Sequence, residues 1–394
     1  MVEWKKIEDL GSYFGGLTGK TKKDFEDGNA KFITYMNVFA NPSLDESTVG
    51  MVHINEGEKQ NRVQKGDILF TGSSETPDEA GMSCVVTDDL LEDYYMNSFC
   101  FGLRLNNPEQ FNLHYLKHLL RSYSIRSEIS KTASGVTRFN ISKARFGKVL
   151  IPVPSIDEQS RIVGILDTFT ASIENLKQQI AQRRKQYEHY RDQLLDLEGK
   201  EGVEMKTLGE IGKCKAGATP STKKTEYWVG GNIPWMSSGE VHQKVVTHTA
   251  SYITKKGYEN ASTKMLPVNT VVIALAGQGK TRGSVAITAI ELCTNQSLCG
   301  VIINNGKIVN KYVYHYLLTR YNDLRRISSG DGTRGGLNLK MISSYPIPIP
   351  STLEQQRIVS ILDTFEASIA NLEQQLAQRE KQYEYYRNKL LTFE

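Results

Sequence analysis

The sequence predicts an α+β protein in which two mixed α/β globular domains alternate with two long antiparallel coiled-coil helices, organised as a pseudo-twofold internal repeat. Three observations predict this. Residues 155–198 align without gaps to residues 351–394 at a constant offset of 196, with 30 of 44 positions identical. Each copy carries a sustained heptad seam. The stretches outside the copies are built of short β-branched runs punctuated by Gly, Asn and Pro. The expected division is therefore 1–154 for the first globular domain, 155–198 for the first long helix, 199–350 for the second domain and 351–394 for the second helix.

Taken in chain order, the first domain shows strand-like runs such as Asp67-Ile68-Leu69-Phe70 and ends in a helical patch near Leu113–Ser130. Ile151-Pro152-Val153-Pro154 then punctuates the chain, and Ser155 stands as a helix N-cap with Glu158 at the capping-box spacing. The first helix spaces Ile162, Leu166, Phe169, Ile173, Leu176 and Ile180, then Tyr187, Tyr190, Leu194 and Leu197, by alternating gaps of four and three. The second domain has Thr270-Val271-Val272-Ile273 and a helical patch at Lys311–Ile327. Ile347-Pro348-Ile349-Pro350, Ser351 and Glu354 repeat the punctuation. The second seam follows at Ile358, Leu362, Phe365, Ile369, Leu372, Leu376, Tyr383, Tyr386, Leu390 and Phe393. A single long surface helix is the plainer reading of either copy, but two matched seams in one chain can satisfy each other. Arg183 and Arg379 break the seams at equivalent places. Such a residue either fixes register or lays its aliphatic stem along the seam with its charge in water.

Composition bounds the function. Hydrophobic residues make up 39% and charged residues 23% of 394, ordinary for a globular protein. No apolar run reaches the ~18–20 residues of a membrane span, and the polar start Met1–Asp9 reads as neither signal peptide nor anchor. Cys84, Cys100, Cys214, Cys293 and Cys299 are scattered, which points to a reducing cytoplasm rather than a zinc or disulfide framework. The net charge of +4 hides a strong partition: −2 for 1–154, −2 for each helix and +10 for 199–350. Residues 111–150 carry +7 and residues 305–340 carry +5, so basic patches are expected in matching places near the end of both domains. That pattern fits a polyanion held at two places.

No catalytic motif stands up. Gly277-Gln278-Gly279-Lys280-Thr281 is close to a phosphate-binding loop, but Ala274 occupies the position of its first glycine and β-like sequence follows. As a basic, Gly-rich loop carrying Gln278, Lys280 and Arg282 it suits groove reading better. The seven His residues form no metal-ligand spacing; His114 and His118 read as a structural pair. Further candidates for DNA contact are Lys20, Lys22 and Lys23, then Lys223 and Lys224. Arg138 and Arg334 join them in Gly/Ser/Thr-rich turns, with Lys143 and Arg145 in the first basic patch. Trp235 reads as a core anchor. A scaffold protein whose coiled coil is the function and whose basic patches are incidental stands as the alternative, and an enzyme using the 277–281 loop as a third reading.

These residues resemble the specificity subunit of type I restriction–modification systems. The resemblance rests on the order domain, long helix, domain, long helix. It rests also on the phrase Pro-x-Pro-Ser-x-x-Glu-Gln-x-Arg-Ile-Val at Pro152–Val163 and Pro348–Val359. The third feature is the run Ala218-Thr219-Pro220-Ser221 … Tyr227-Trp228 … Ile233-Pro234-Trp235. The first domain departs from that run, with Leu17-Thr18-Gly19-Lys20 in its place. The resemblance implies a non-catalytic, cytoplasmic prokaryotic reader of double-stranded DNA. Each domain would be a target-recognition domain for one half of a bipartite site, and the helices would set the unread spacer. The implied partners are two adenine-N6 methyltransferase subunits, which carry the S-adenosylmethionine, and a restriction/translocase subunit. No cofactor is implied for this chain itself, and no membrane.

Overall fold

The computed structural model describes residues 2–277, 281–328 and 336–393. The chain divides into two compact units, one formed by residues 1–178 with 373–394, the other by residues 179–372. Each unit thus combines a globular domain with the N-terminal half of one long helix and the C-terminal half of the other.

In the first unit, strands β1 (Glu3–Lys6), β2 (Gly11–Gly15), β3 (Ile68–Thr71), β4 (Ser83–Val85) and β5 (Cys100–Leu105) precede helices α1 (Leu113–Leu119) and α2 (Tyr123–Ser130). Strand β6 (Leu150–Val153) then leads into the first long helix, α3 (Ile156–Leu195). The antiparallel sheet runs in the order β2-β5-β3-β4, with Leu103 opposite both Tyr13 and Ile68. β1 and β6 form a separate two-stranded ribbon in which Trp4 faces Pro152, an edge position where a missing N–H costs no ladder bond. The core gathers Phe70, Phe101 and Phe146 in edge and stacked contacts, with Tyr115 fully buried beside them. The Phe14 ring abuts Gly102, where any Cβ would strike it, so this mid-strand position needs glycine.

The second unit repeats the plan. Strands β7 (Glu204–Thr207), β8 (Gly212–Ala216), β9 (Val271–Ala274), β10 (Val285–Thr288) and β11 (Leu298–Ile303) precede α4 (Asn310–Thr319), α5 (Tyr321–Ile327), β12 (Pro346–Ile349) and the second long helix, α6 (Thr352–Leu390). The sheet order is β8-β11-β9-β10, closed by Val245–Val246 parallel to β10. Trp235 is buried, edge-on to Trp228, with its indole N–H on the Ala218 carbonyl at 3.1 Å, the anchor its composition predicts.

The long helices enter these units through matching polar clamps. Gln159 is buried; its side chain accepts from the Asn112 N–H at 2.8 Å and donates to the carbonyls of Gln110 and Pro154. Gln355, at offset 196, accepts from Val309 N–H and donates to Lys307 and Pro350. Tyr115 and Tyr312 donate to the Pro152 and Pro348 carbonyls. The expected capping box is only half made. Ser155 and Ser351 accept from the N–H of Glu158 and Glu354, but each glutamate instead grips the arginine three residues on, Arg161 or Arg357, in a two-pronged pair. Bidentate charge pairing outweighs one bond back to the cap.

The seams pair antiparallel, and the contacts repeat. In the first unit Phe169 stacks on Tyr386 at 5.3 Å and Arg379 lies 5.6 Å over the Phe169 ring. In the second, Phe365 stacks on Tyr190 at 5.5 Å and Arg183 lies 5.8 Å over Phe365. Both seam arginines therefore rest on the facing helix's aromatic. The seam ends are corrected: α3 ends at Leu195 and α6 at Leu390, so Leu197 lies buried in the core of the second unit and Phe393 packs against the core of the first.

Candidate nucleic-acid interface

Much of the basic charge that the sequence count finds is already paired within the chain, part of it buried and part in surface ion pairs. Arg121 gives its guanidinium to the carbonyls of Ser83, Val38 and Asn41, and Arg126 to those of Asp78, Ala80 and Gly81. Burial pushes both guanidinium groups down to about 10. Lys117 sits on Asp167 at 2.9 Å and Lys131 on Glu128. In the second unit Lys311 pairs with Asp363, Arg326 with Asp323, and Arg325 bonds the Arg282 carbonyl and the Tyr321 hydroxyl.

Several named candidates are likewise turned inward. Lys20, a candidate contact residue, is withdrawn from solvent, its side chain 6% exposed, on Glu58 and the His53 carbonyl at 2.6 Å. Lys20 is the largest cause of the shift that holds the Glu58 carboxyl down at about 2. Arg282, a candidate groove reader, is also buried, at 7% exposure. Gln278, Lys280 and Arg334 lie outside the described residues.

What remains on the surface forms small groups. Arg138, Lys143 and Arg145 come together around a three-stranded patch in which Phe139–Ile141 pairs with Ala133–Ser134 and Ser73–Ser74. Arg138 lies 5.1 Å over the Phe99 ring and donates Nε to Ser73 Oγ at 3.2 Å, so its guanidinium is oriented while remaining exposed. Lys143 lies over Phe101, and Arg145 reaches the carbonyls of Lys131 and Ala133 at 3.4 Å. Lys22 and Lys23 are exposed on the short helical turn Lys22–Phe25, whose Thr21–Asp24 cap fixes it. In the second unit Lys223 and Lys224 are exposed beside Tyr227, whose hydroxyl accepts from Lys224 at 3.1 Å. Phe99, 55% exposed under Arg138, is a surface aromatic that no local pattern reveals, because its partner lies in a distant turn.

His118 resolves the question raised by the His114/His118 spacing. Neutral imidazole fits both of its partners: Nε2–H donates to Asp167 at 2.8 Å and Nδ1 accepts from the Tyr383 hydroxyl at 2.9 Å. Burial, first among the influences, lowers the His118 pKa despite the carboxylate. For Asp167 burial pulls upward, but the hydrogen bonds from His118 and Lys117 outweigh it and hold the carboxyl at about 2. The histidine joins a globular helix to the seam as a structural polar link.

No helix among the described residues is long and apolar enough to cross a membrane. Comparison with known proteins places the whole arrangement. The profile described as the type I restriction modification DNA specificity domain matches residues 1–183 and again 200–381. The chain is 41% identical over 259 residues to the type I restriction enzyme EcoR124I/EcoR124II specificity subunit of Escherichia coli, a match covering 62% of this chain and 63% of that relative. It is 30% identical over 305 residues to a putative type I restriction enzyme specificity subunit of Haemophilus influenzae, covering 73% and 74%. In fold it is similar to the type I restriction–modification S subunit of M. genitalium, at 17% identity and TM-score 0.59 over 100% of this chain and 97% of that one. A chain from a structure of type I R-M complex assembly and conformational transition gives TM-score 0.67 at 16% identity, covering 99% and 97%. Each profile match covers one globular domain and most of the long helix that follows it, and the chain belongs to the specificity subunits of type I restriction–modification systems, with two target-recognition domains.

Proposed function

We propose that this chain is the non-catalytic reader of a bipartite DNA site. Each globular domain contacts one half, and the paired helices set the unread spacer and carry two adenine-N6 methyltransferase subunits. A restriction/translocase subunit completes the assembly, and S-adenosylmethionine belongs to the methyltransferase. The observation that carries this reading is the uneven divergence of the repeat. The helices keep 30 of 44 identities and the same Phe–Tyr–Arg contacts, while the domains share a plan and little sequence. Selection for one common partner at two places preserves the helices; reading two different half-sites frees the domains to differ. The exposed cations at Lys22, Lys23, Arg138, Lys143, Arg145, Lys223 and Lys224 supply phosphate and base contacts, and the same roles extend to Gln278, Lys280 and Arg334.

Expression of this chain with its methyltransferase, followed by mapping of N6-methyladenine across the host genome, tests the reading. A two-part motif with a fixed gap is the expected result. An assembly that binds all sequences equally, with the salt dependence of simple charge neutralisation, would leave only the scaffold reading.

A further inference from the structure

The second unit holds a side-chain cluster that neither the repeat nor DNA reading explains. His315 on α4 meets Asp363 and Glu366 on α6, and a ligand atom from each lies within 4.8 Å of the others. The spacing of three residues sets both carboxylates on one helix face. The first unit supplies the comparison. His118 and Asp167 occupy the matching places there, but Thr170 stands where the second unit has Glu366. In that unit Tyr383 donates to the imidazole. In the second, Glu366 captures the equivalent hydroxyl, Tyr187 donating to it at 2.9 Å. His315 Nδ1 is left with no hydrogen-bond partner among the described residues, on a side chain 1% exposed.

A neutral imidazole carries one proton and one lone pair. With the proton on Nε2, facing Asp363 at 3.3 Å, the lone pair on Nδ1 is unused. With the proton on Nδ1, the lone pair points at a carboxylate. Either state leaves Nδ1 buried without a partner among the described residues. With the proton on Nδ1, a cation accepting the Nε2 lone pair and both carboxylates replaces that lone-pair–carboxylate repulsion with coordination.

We propose that His315, Asp363 and Glu366 bind a divalent transition-metal ion of the zinc class. One imidazole nitrogen and two carboxylate oxygens suit such an ion, with water completing a tetrahedron. Lys311 holds Asp363 at 2.6 Å, but its side chain is 47% exposed and withdraws into solvent when the ion takes the carboxylate. The ion would tie α4 to α6 within the second unit. The proposal stands independently of how DNA is read.

The test uses the full-length chain, stripped with chelator and titrated with Co²⁺, then Zn²⁺. One saturable equivalent with the visible absorption of low-coordinate Co²⁺, displaced by Zn²⁺, is expected. Glu366→Thr installs the residue the first unit already carries; it should fold and lose affinity by more than the roughly 10–100-fold that loss of a supporting partner costs. Absence of a saturable equivalent in the wild type, or Glu366→Thr binding like the wild type, overturns the proposal. Should Glu366→Thr lose its helical signal, Thr170→Glu decides: a second equivalent, built on His118 and Asp167, supports the site, and a single one refutes it.

Discussion

Arg121 and Arg138 carry the same charge in the same stretch of chain, and the fold uses them in opposite ways. Arg121 satisfies three backbone carbonyls from other elements, so Arg121→Ala leaves those groups buried without a donor. A loss of about 2–4 kcal/mol in denaturant unfolding is expected. Arg138 lies at the surface, its guanidinium bonded to Ser73 and over the Phe99 ring. Arg138→Ala should change stability by no more than about 0.5 kcal/mol while weakening DNA binding by the assembled complex. Equal effects of the two substitutions on stability would refute this sorting. Charge counted along the sequence does not distinguish the two, because the carbonyls that claim Arg121 lie 38 to 83 residues away. For the same reason Lys20 reads as a surface lysine and proves to be Glu58's partner. His118 supplies a second prediction. Its folded pKa is depressed, so below the ordinary value of ~6.5 the unfolded chain binds more protons than the folded one. Stability then falls as pH drops below that value, and His118→Gln should flatten the slope of unfolding free energy just below about pH 6.5. Asp167 acts in a lower window: its stabilisation is present above ~3.9 and is lost as pH falls through about 2.

At the scale of elements, the long helices were the most legible part of the molecule, because a heptad seam is a local pattern whose partner has the same pattern. Ile162, Leu166, Ile173 and Ile180 are buried as their spacing requires. The seam misleads at its C-terminal ends, where Leu197 and Phe393 lie beyond the last helical turns and join the globular cores. The short strands were legible as runs but not in their pairing: the order β2-β5-β3-β4 depends on contacts that cross the whole first domain. The seam arginines show what each position contributes. Arg379 rests on the face of Phe169, a partly exposed cation–π contact worth about 0.5–1 kcal/mol. Phe169 itself fills the seam against Tyr386. Urea unfolding should therefore find Arg379→Leu within about 1 kcal/mol of wild type and Phe169→Ala destabilised by about 2 kcal/mol or more. The same ordering is expected for Arg183→Leu and Phe365→Ala. A larger loss from the arginines would mean that they fix the register of the pair rather than decorate it.

For the whole molecule, the repeat imposes a constraint that neither half shows alone. Each long helix serves both units, so the pairing of Phe169 with Tyr386 and of Phe365 with Tyr190 must hold in one register. Seven residues inserted into α3 alone, between Ile173 and Ile180, preserve its heptad phase but add ~10.5 Å that α6 lacks. One of the two aromatic contacts must then break, and the variant should unfold at lower denaturant. The same insertion in both helices, between Ile173 and Ile180 and between Ile369 and Leu376, restores the match and with it the stability. Because the two long helices are proposed to set the unread spacer, the double insertion should also lengthen the gap in the methylated motif. At 3.4 Å per base pair the added length allows at most about three pairs, with both half-sites unchanged. The folded double variant separates two ideas that the wild type cannot. If it methylates the original motif with the original gap, the helices hold the domains together without measuring the DNA between their targets.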